Sequence, residues 1–282
     1  MKTTLLRGSA LLALALPAVA HAQSTGSVEF EKNEIVVTGT ATRGVAGVQV
    51  PNTPKAKEVI NAELIQRQRP GQTVNDIVNL IPGVSFQNND ATGAAGGTFT
   101  IRGFDSTRIS QTVDGIPLND TGNYAIYSNQ QPDPETLESV SVNLGSTDID
   151  SPTASAAGGT VNIRTRVPSD KPGMLLSGSL GGYLADGAPS DLIYRGFAMI
   201  DTGDLTGAGT KAFFSASYTH APVPFNNYGH LRKNQYNGRI YQEIGNNGDF
   251  VSVAGNWNVN RNNFFGSVPL RTDLTQSPTN NA

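Results

Sequence analysis

The chain has 282 residues, a net charge of −3 and no cysteine. The missing cysteine excludes a disulfide framework, a thiolate zinc site and a cysteine nucleophile, and the near-neutral charge gives no electrostatic ground for nucleic-acid binding. Charged residues are 15% of the chain, below the roughly 25% usual in soluble domains; Asn, Ser, Thr, Gln and Gly carry the polar work, as in a β protein with one face in lipid and the other on a polar interior.

The first 22 residues predict a cleavable export signal. Lys2 and Arg7 precede an apolar run over 9–20, and Ala20-His21-Ala22 has the small-x-small spacing of a cleavage site after Ala22. The run is too short for a spanning helix, which needs about 20 residues. Residues 23–50 then read as a flexible arm, interrupted by Glu34, Ile35, Val36, Val37 and Thr38, a short β-prone string. By pattern alone it fits a first strand of the following domain. It also fits a strand that pairs with another protein's sheet edge, since it has nothing local to bury against.

Residues 51–168 mix helix and strand signals, as in a small α+β domain. Residues 73–81 predict an amphipathic helix with Val74, Ile77, Val78 and Ile81 on one face, Thr73 and Asp76 as a capping box, and Pro82-Gly83 as its stop. Residues 84–87, 98–102, 111–113, 140–144 and 160–164 predict strands, with a tight turn at Asp114-Gly115. Asp133-Pro134-Glu135 reads as an N-cap with proline in the first turn of another short helix.

From Lys171 onward the period changes to two. Met174, Leu176, Leu180 and Leu184 share one face; Ala212, Phe214, Ala216 and Tyr218 oppose Lys211, Ser215 and Ser217; Val251, Val253, Trp257 and Val259 oppose Ser252, Asn256, Asn258 and Asn260. Each run has the length of a tilted transmembrane strand, about 9–11 residues. Residues 192–200 and 236–244 predict intervening strands with mixed faces. A soluble sandwich shows the same alternation, so these strands alone leave both architectures open.

Other chemistry is weakly signalled. The glycines at 93–97 and at Gly158-Gly159 lack the spacing of a phosphate loop and read as turns. Asp148-Ile149-Asp150 lacks the rest of a calcium loop. His220 and His230 flank the aromatic stretch 224–228; haem or metal binding there is weighed against a solvated loop, which is the default, and no metal or other cofactor is expected. No nucleophile–base pair stands out, so catalysis is not expected.

Taken in order, several of these segments carry a resemblance. Ile81-Pro82-Gly83-Val84, Thr100-Ile101-Arg102-Gly103-Phe104, Val113-Asp114-Gly115-Ile116-Pro117 and Gly158-Gly159-Thr160-Val161-Asn162-Ile163, behind an export signal and the string at 34–38, resemble the N-terminal part of a TonB-dependent outer-membrane receptor. The resemblance implies a TonB box at 34–38, a plug domain over 51–168 and the first strands of a β-barrel over 169–282. Against barrels of 22 strands, these last residues supply about five, and the chain is expected to be a fragment.

The resemblance further implies uptake of a scarce extracellular ligand, siderophore-, glycan- or cobalamin-like, with energy delivered by TonB pairing to the box. Arg102 corresponds to the family's plug arginine and is expected against the barrel wall. The loops at 87–97 and 119–131 are expected together at the outer face of the plug, with Tyr124, Tyr127, Asn129, Gln130 and Gln131 as a polar-aromatic ligand platform. The rival reading is a secreted or periplasmic α+β binding protein with a β-sandwich tail.

Overall fold

The computed structural model describes residues 48–51, 56–145, 156–184, 190–223, 226–245 and 247–263. The expected export signal, the string at 34–38 and the aspartates at 148 and 150 lie outside the described residues.

A small α+β unit comes first. Strand β1 (Lys57–Asn61) leads into helix α1 (Ala62–Arg67), where the Asn61 side chain accepts from Leu64 N at 3.0 Å. Helix α2 (Val74–Val78) has the expected reciprocal cap: Thr73 Oγ1 accepts from Asp76 N at 3.2 Å, and Asp76 accepts from Thr73 N at 2.9 Å. It is shorter than the predicted 73–81. Asn79 closes it as the C-cap, its N–H still donating to Asn75 O at 3.2 Å while its side-chain oxygen accepts from Phe86 N at 3.0 Å, and Ile81 packs in the turn that follows. The predicted face holds, since Val74, Ile77, Val78 and Ile81 are all fully buried.

Strands β2 (Val84–Asn88), β3 (Gly97–Ile101) and β4 (Phe104–Asp105) form one antiparallel sheet. Strands β5 (Ile109–Val113), β6 (Ile116–Pro117), β7 (Leu137–Leu144) and β8 (Gly159–Thr165) join β1 in a second sheet, in the order β1-β7-β8-β5-β6. Asp114 and Gly115, both with positive φ, make the β5–β6 turn, the geometry two-residue hairpins prefer. Strand β8 runs parallel to β5 and antiparallel to β7. One core unites α2 with both sheets through Phe99, Ile101, Val140, Val142, Val161 and Ile163. The helix expected after Asp133 is a single 3-10 turn, Pro134–Thr136.

Five long strands follow, each paired antiparallel to the next: β9 (Pro172–Gly181), β10 (Ile193–Asp204), β11 (Thr210–Val223), β12 (Asn226–Ile244) and β13 (Asp249–Asn262). Residues 205–209, and Gly245 with Asn247 and Gly248, turn the chain at one end of this wall, where Asp204 N also bonds Asp170 O as the first unit hands over to β9. Strand β12 starts earlier than the predicted 236–244, so His230 sits on a strand and not beside a loop.

The polarity of the wall is inverted relative to a soluble sheet. One face exposes Met174, Leu176, Leu180, Ile200, Phe214, Ile240, Val253 and Trp257. The opposite face buries Arg195, Asp201, Lys211, Ser215, Ser217, Gln235 and Asn237 against the first unit. A sandwich would cover its apolar face with a second sheet. Among the described residues nothing covers this one.

Candidate functional site

The buried side of the wall meets the α+β unit in a polar seam centred on Asp133. Strand β10 points alternate residues inward, and Arg195 is the cation among them, only 4% exposed at its side chain. Its Nη2 donates to Asp133 Oδ1 at 2.9 Å, and its Nη1 donates to Glu135 Oε1 at 2.6 Å. Asp133 also accepts from Ser217 Oγ of β11 at 2.9 Å and from Asn237 Nδ2 of β12 at 3.1 Å. Three neighbouring strands therefore converge on one carboxylate. Gly71 makes room for the arginine: a Cβ there would lie 2.2 Å from Arg195 Cδ, and its φ of +77° already favours glycine.

This accounts for the short Pro134–Thr136 turn. Asp133 makes no side-chain cap hydrogen bond, because its carboxylate is committed to the wall; its carbonyl instead accepts from Thr136 N at 3.0 Å. A buried carboxylate with this many donors is satisfied in place.

Further polar contacts run along the seam. Gln235 Nε2 donates to Gln131 O at 2.9 Å. Near the handover, Arg166 pairs with Asp201 at 2.8 Å, Lys211 Nζ with Asp170 at 2.6 Å, and Arg239 Nη1 donates to Thr165 O at 3.1 Å. Apolar contact is local: Phe197, Met199 and Phe213 form a small buried group on the inward face. The mixed faces read at 192–200 have this cause, since the inward side chains meet protein and not water.

The loops 87–97 and 119–131 do lie together, joined by Ser128 Oγ donating to Gly93 O at 3.4 Å. The far end of β13 holds both: Asn260 Nδ2 donates to Asn129 O at 3.2 Å, as Asn258 does, and Asn262 Nδ2 donates to Ala94 O at 2.6 Å. They thus sit at the end of the wall opposite the turns that follow β10 and β12. Asp90 stiffens the first loop by accepting from Thr92 N and Ala95 N at 2.8 Å each. Asp120 and Asn119 stiffen the second; Asn119 Nδ2 donates to Tyr124 O at 2.9 Å, holding Tyr124 at a φ of +58°.

The five residues expected to form the ligand platform do not act as one set. Tyr124, Tyr127 and Gln130 are exposed. Gln131 is 1% exposed and belongs to the core, where its Nε2 donates to Asn75 Oδ1 at 2.7 Å and Gln111 Oε1 at 3.1 Å. Asn129 is half-buried and gives its carbonyl to β13. Alternation in a polar loop does not reveal which amides point inward, because buried and solvated glutamines have the same composition.

Arg102, expected against the wall, turns back onto its own unit. At a φ of +50° its Nη1 donates to Leu144 O at 3.2 Å; among the described residues no hydrogen bond or ion pair joins it to β9–β13. The most deeply buried charge pairing between the two units has the arginine on the wall and the carboxylates on the α+β unit, while Arg166–Asp201 near the handover has the reverse sense. Sequence reading missed Arg195, Asp133 and Glu135 as partners. The available signal was a lone arginine within the apolar run of 193–200, opposite a Pro-Asp-Pro-Glu segment.

Two carboxyls outside the wall have displaced titrations. Glu58 on β1 is pushed up by partial burial, which outweighs the nearby positive charge of Arg102. Asp105 is held down by hydrogen bonds from the Thr107 hydroxyl and backbone N–H.

Residues 49–160 match the family model of the TonB-dependent Receptor Plug Domain. The hemoglobin-haptoglobin utilization protein B of Neisseria meningitidis serogroup A is 29% identical over 176 residues, which are 57% of this chain and 20% of the relative. The chain thus spans about a fifth of that relative's length. Among solved structures, the ferripyoverdine receptor of Pseudomonas aeruginosa aligns with a TM-score of 0.57 at 20% identity, covering 74% of this chain and 25% of that one. The siderophore receptor PirA of Acinetobacter baumannii aligns with a TM-score of 0.54 at 20% identity, covering 74% and 32%. These alignments extend the likeness in fold from the α+β unit into the wall.

Proposed function

We propose that this chain, whose residues 49–160 are the plug domain of a TonB-dependent receptor, supplies the plug and the first wall strands of an outer-membrane importer. The observation that carries this reading is the inverted wall. Its exposed face is apolar and its buried face is a network of ions and amides satisfied by the plug. A bilayer rewards that arrangement and water does not.

The substrate class follows from the relatives together with the loops. Proteins similar to this chain are described as receptors for iron-carrying ligands or as haemoglobin-utilisation proteins. On that ground the cargo is a ferric siderophore or a haem-type ligand ahead of a glycan or cobalamin. Tyr124, Tyr127 and Gln130, exposed on the loop away from the short turns, offer aromatic faces and an amide to such a ligand. Short turns face the periplasm in outer-membrane barrels, so these loops look outward.

Energy would enter through residues 34–38, added as a strand to TonB by main-chain hydrogen bonds. The seam suits a plug that has to shift. Hydrogen bonds and ion pairs can be exchanged for bonds to entering water, whereas an apolar interface of equal area would resist wetting.

Trp257 is the sole tryptophan and stands on the exposed face, stacked on Tyr236. In vesicles containing brominated lipids its fluorescence should be strongly quenched, and aqueous acrylamide should quench it weakly. Efficient acrylamide quenching with no bromine effect would remove the wall from the membrane and with it this function.

A further inference from the structure

On the exposed face of the wall, near the ends of its strands, three side chains from separate segments converge. Asp191 lies just before β10, His220 near the end of β11 and His230 near the start of β12. One donor atom from each lies within 4.8 Å of the other two. The two imidazole rings are 5.2 Å apart between centroids, and Tyr194 stacks on His220 at 4.8 Å, fixing that ring's plane.

His220 is only 8% exposed, and the Nδ1 atoms of both His220 and His230 are buried without a hydrogen-bond partner. The nearest carboxylate oxygen, Asp191 Oδ2, stands 3.8 Å from His230 Nδ1, beyond hydrogen-bond range. Leaving a buried polar group unpaired is costly, and two such nitrogens face the same small space. The backbone beneath is held firmly: Asn263 Oδ1 accepts from His230 N at 2.9 Å, and Asn263 N donates to His230 O at 3.2 Å. Arg232 lies cross-strand from His220, and the Asp191 carboxylate offsets its charge.

We propose that Asp191, His220 and His230 bind a divalent transition-metal ion, with Zn²⁺ the ion whose preference they match. Two imidazoles and one carboxylate form a common three-ligand zinc set, leaving a fourth position for water or a further donor. Bringing the donors to bonding distance requires rotation mainly of Asp191, whose side chain is 57% exposed. Such an ion would tie the segment before β10 to the β11–β12 hairpin. The site uses the outer face of the wall and none of the plug loops, so it stands independently of which ligand is carried.

The test is zinc titration of the full chain folded in detergent micelles, by competition with a chromophoric chelator. Labelled imidazole signals are followed by NMR, since the sequence has only three histidines. The expected result is one zinc per folded chain with two imidazoles shifted. His230→Gln should weaken binding at least 100-fold, and Asp191→Asn about 10-fold. Both positions are partly or largely exposed, so the variants should retain native protease resistance, and that is checked in parallel. Unchanged zinc affinity in the folded variants would overturn the proposal. So would a native chain that takes up zinc only after urea unfolding.

Discussion

Arg195 Nη1 of the wall stands 2.6 Å from Glu135 Oε1 of the plug, and Nη2 of the same guanidinium reaches Asp133 at 2.9 Å. The side chains are 4%, 11% and 6% exposed. Removing one member of a buried pair leaves an uncompensated charge, which costs about 3–5 kcal/mol. Arg195→Met is therefore expected to loosen the plug sharply while leaving the wall's ladder intact. Asp133→Asn and Glu135→Leu together with Arg195→Met should recover part of that loss, since an amide oxygen at 133 can still accept from Ser217 and Asn237. Protease cleavage of the plug in intact membranes measures both; native resistance in the single variant would contradict the assigned role of the pair.

The divided loop residues make a second expectation. Tyr127→Ala should weaken uptake of a ferric siderophore or haem-type ligand by roughly tenfold, as loss of an aromatic contact at a binding site commonly does, with no change in stability. Gln131→Ala should do the reverse. It removes the donor to Gln111 Oε1 and the shorter of two donors to Asn75 Oδ1, and lowers unfolding stability by about 1–3 kcal/mol, read by urea titration. Equal behaviour of the two variants would return Gln131 to the ligand surface.

Glu58 sets a pH dependence. Its carboxyl is raised above the ordinary value of 4.5 by burial, so the folded state binds the proton more tightly than the unfolded one. The stability this provides is present below about the ordinary carboxylate value and is lost as pH rises past it. Glu58→Gln should accordingly be slightly more stable than the native chain at pH 7, by less than ~0.5 kcal/mol for so exposed a group. The two should converge near pH 3. A gap that widens on acidification would reverse the sign and exclude burial as the cause.

For the arm, Val36→Pro removes a backbone donor and fixes φ at a position that should pair as a strand. Energised uptake should be abolished, with ligand binding at the cell surface retained. Wild-type uptake would sink the assignment of residues 34–38.

What the sequence disclosed was largely what is local. The Thr73–Asp76 cap, the Asp114-Gly115 turn and the alternation around Phe214 and Val253 depend on near neighbours, and all appear where expected. Pairings between distant segments were not legible. Nothing near Ile109 or Gly159 announces that β5 and β8 run parallel, and nothing near Asp133 shows that its carboxylate serves three strands more than 60 residues away. Composition also could not separate the inward amide of Gln131 from the outward one of Gln130.

The order β1-β7-β8-β5-β6 puts the strand nearest the N-terminal arm at the margin of its sheet, held by the rungs from Lys57 to Asn61 and preceded by the Gln49–Val59 bridge. Traction on the chain ahead of Val48 therefore loads β1 before any strand flanked on both sides. A marginal strand can detach a few rungs at a time, so its mechanical threshold lies well below that for shearing the sheet's centre. Modest tension is therefore expected to free these five residues first and lengthen the tether, while β7 and β8 keep the remainder aligned.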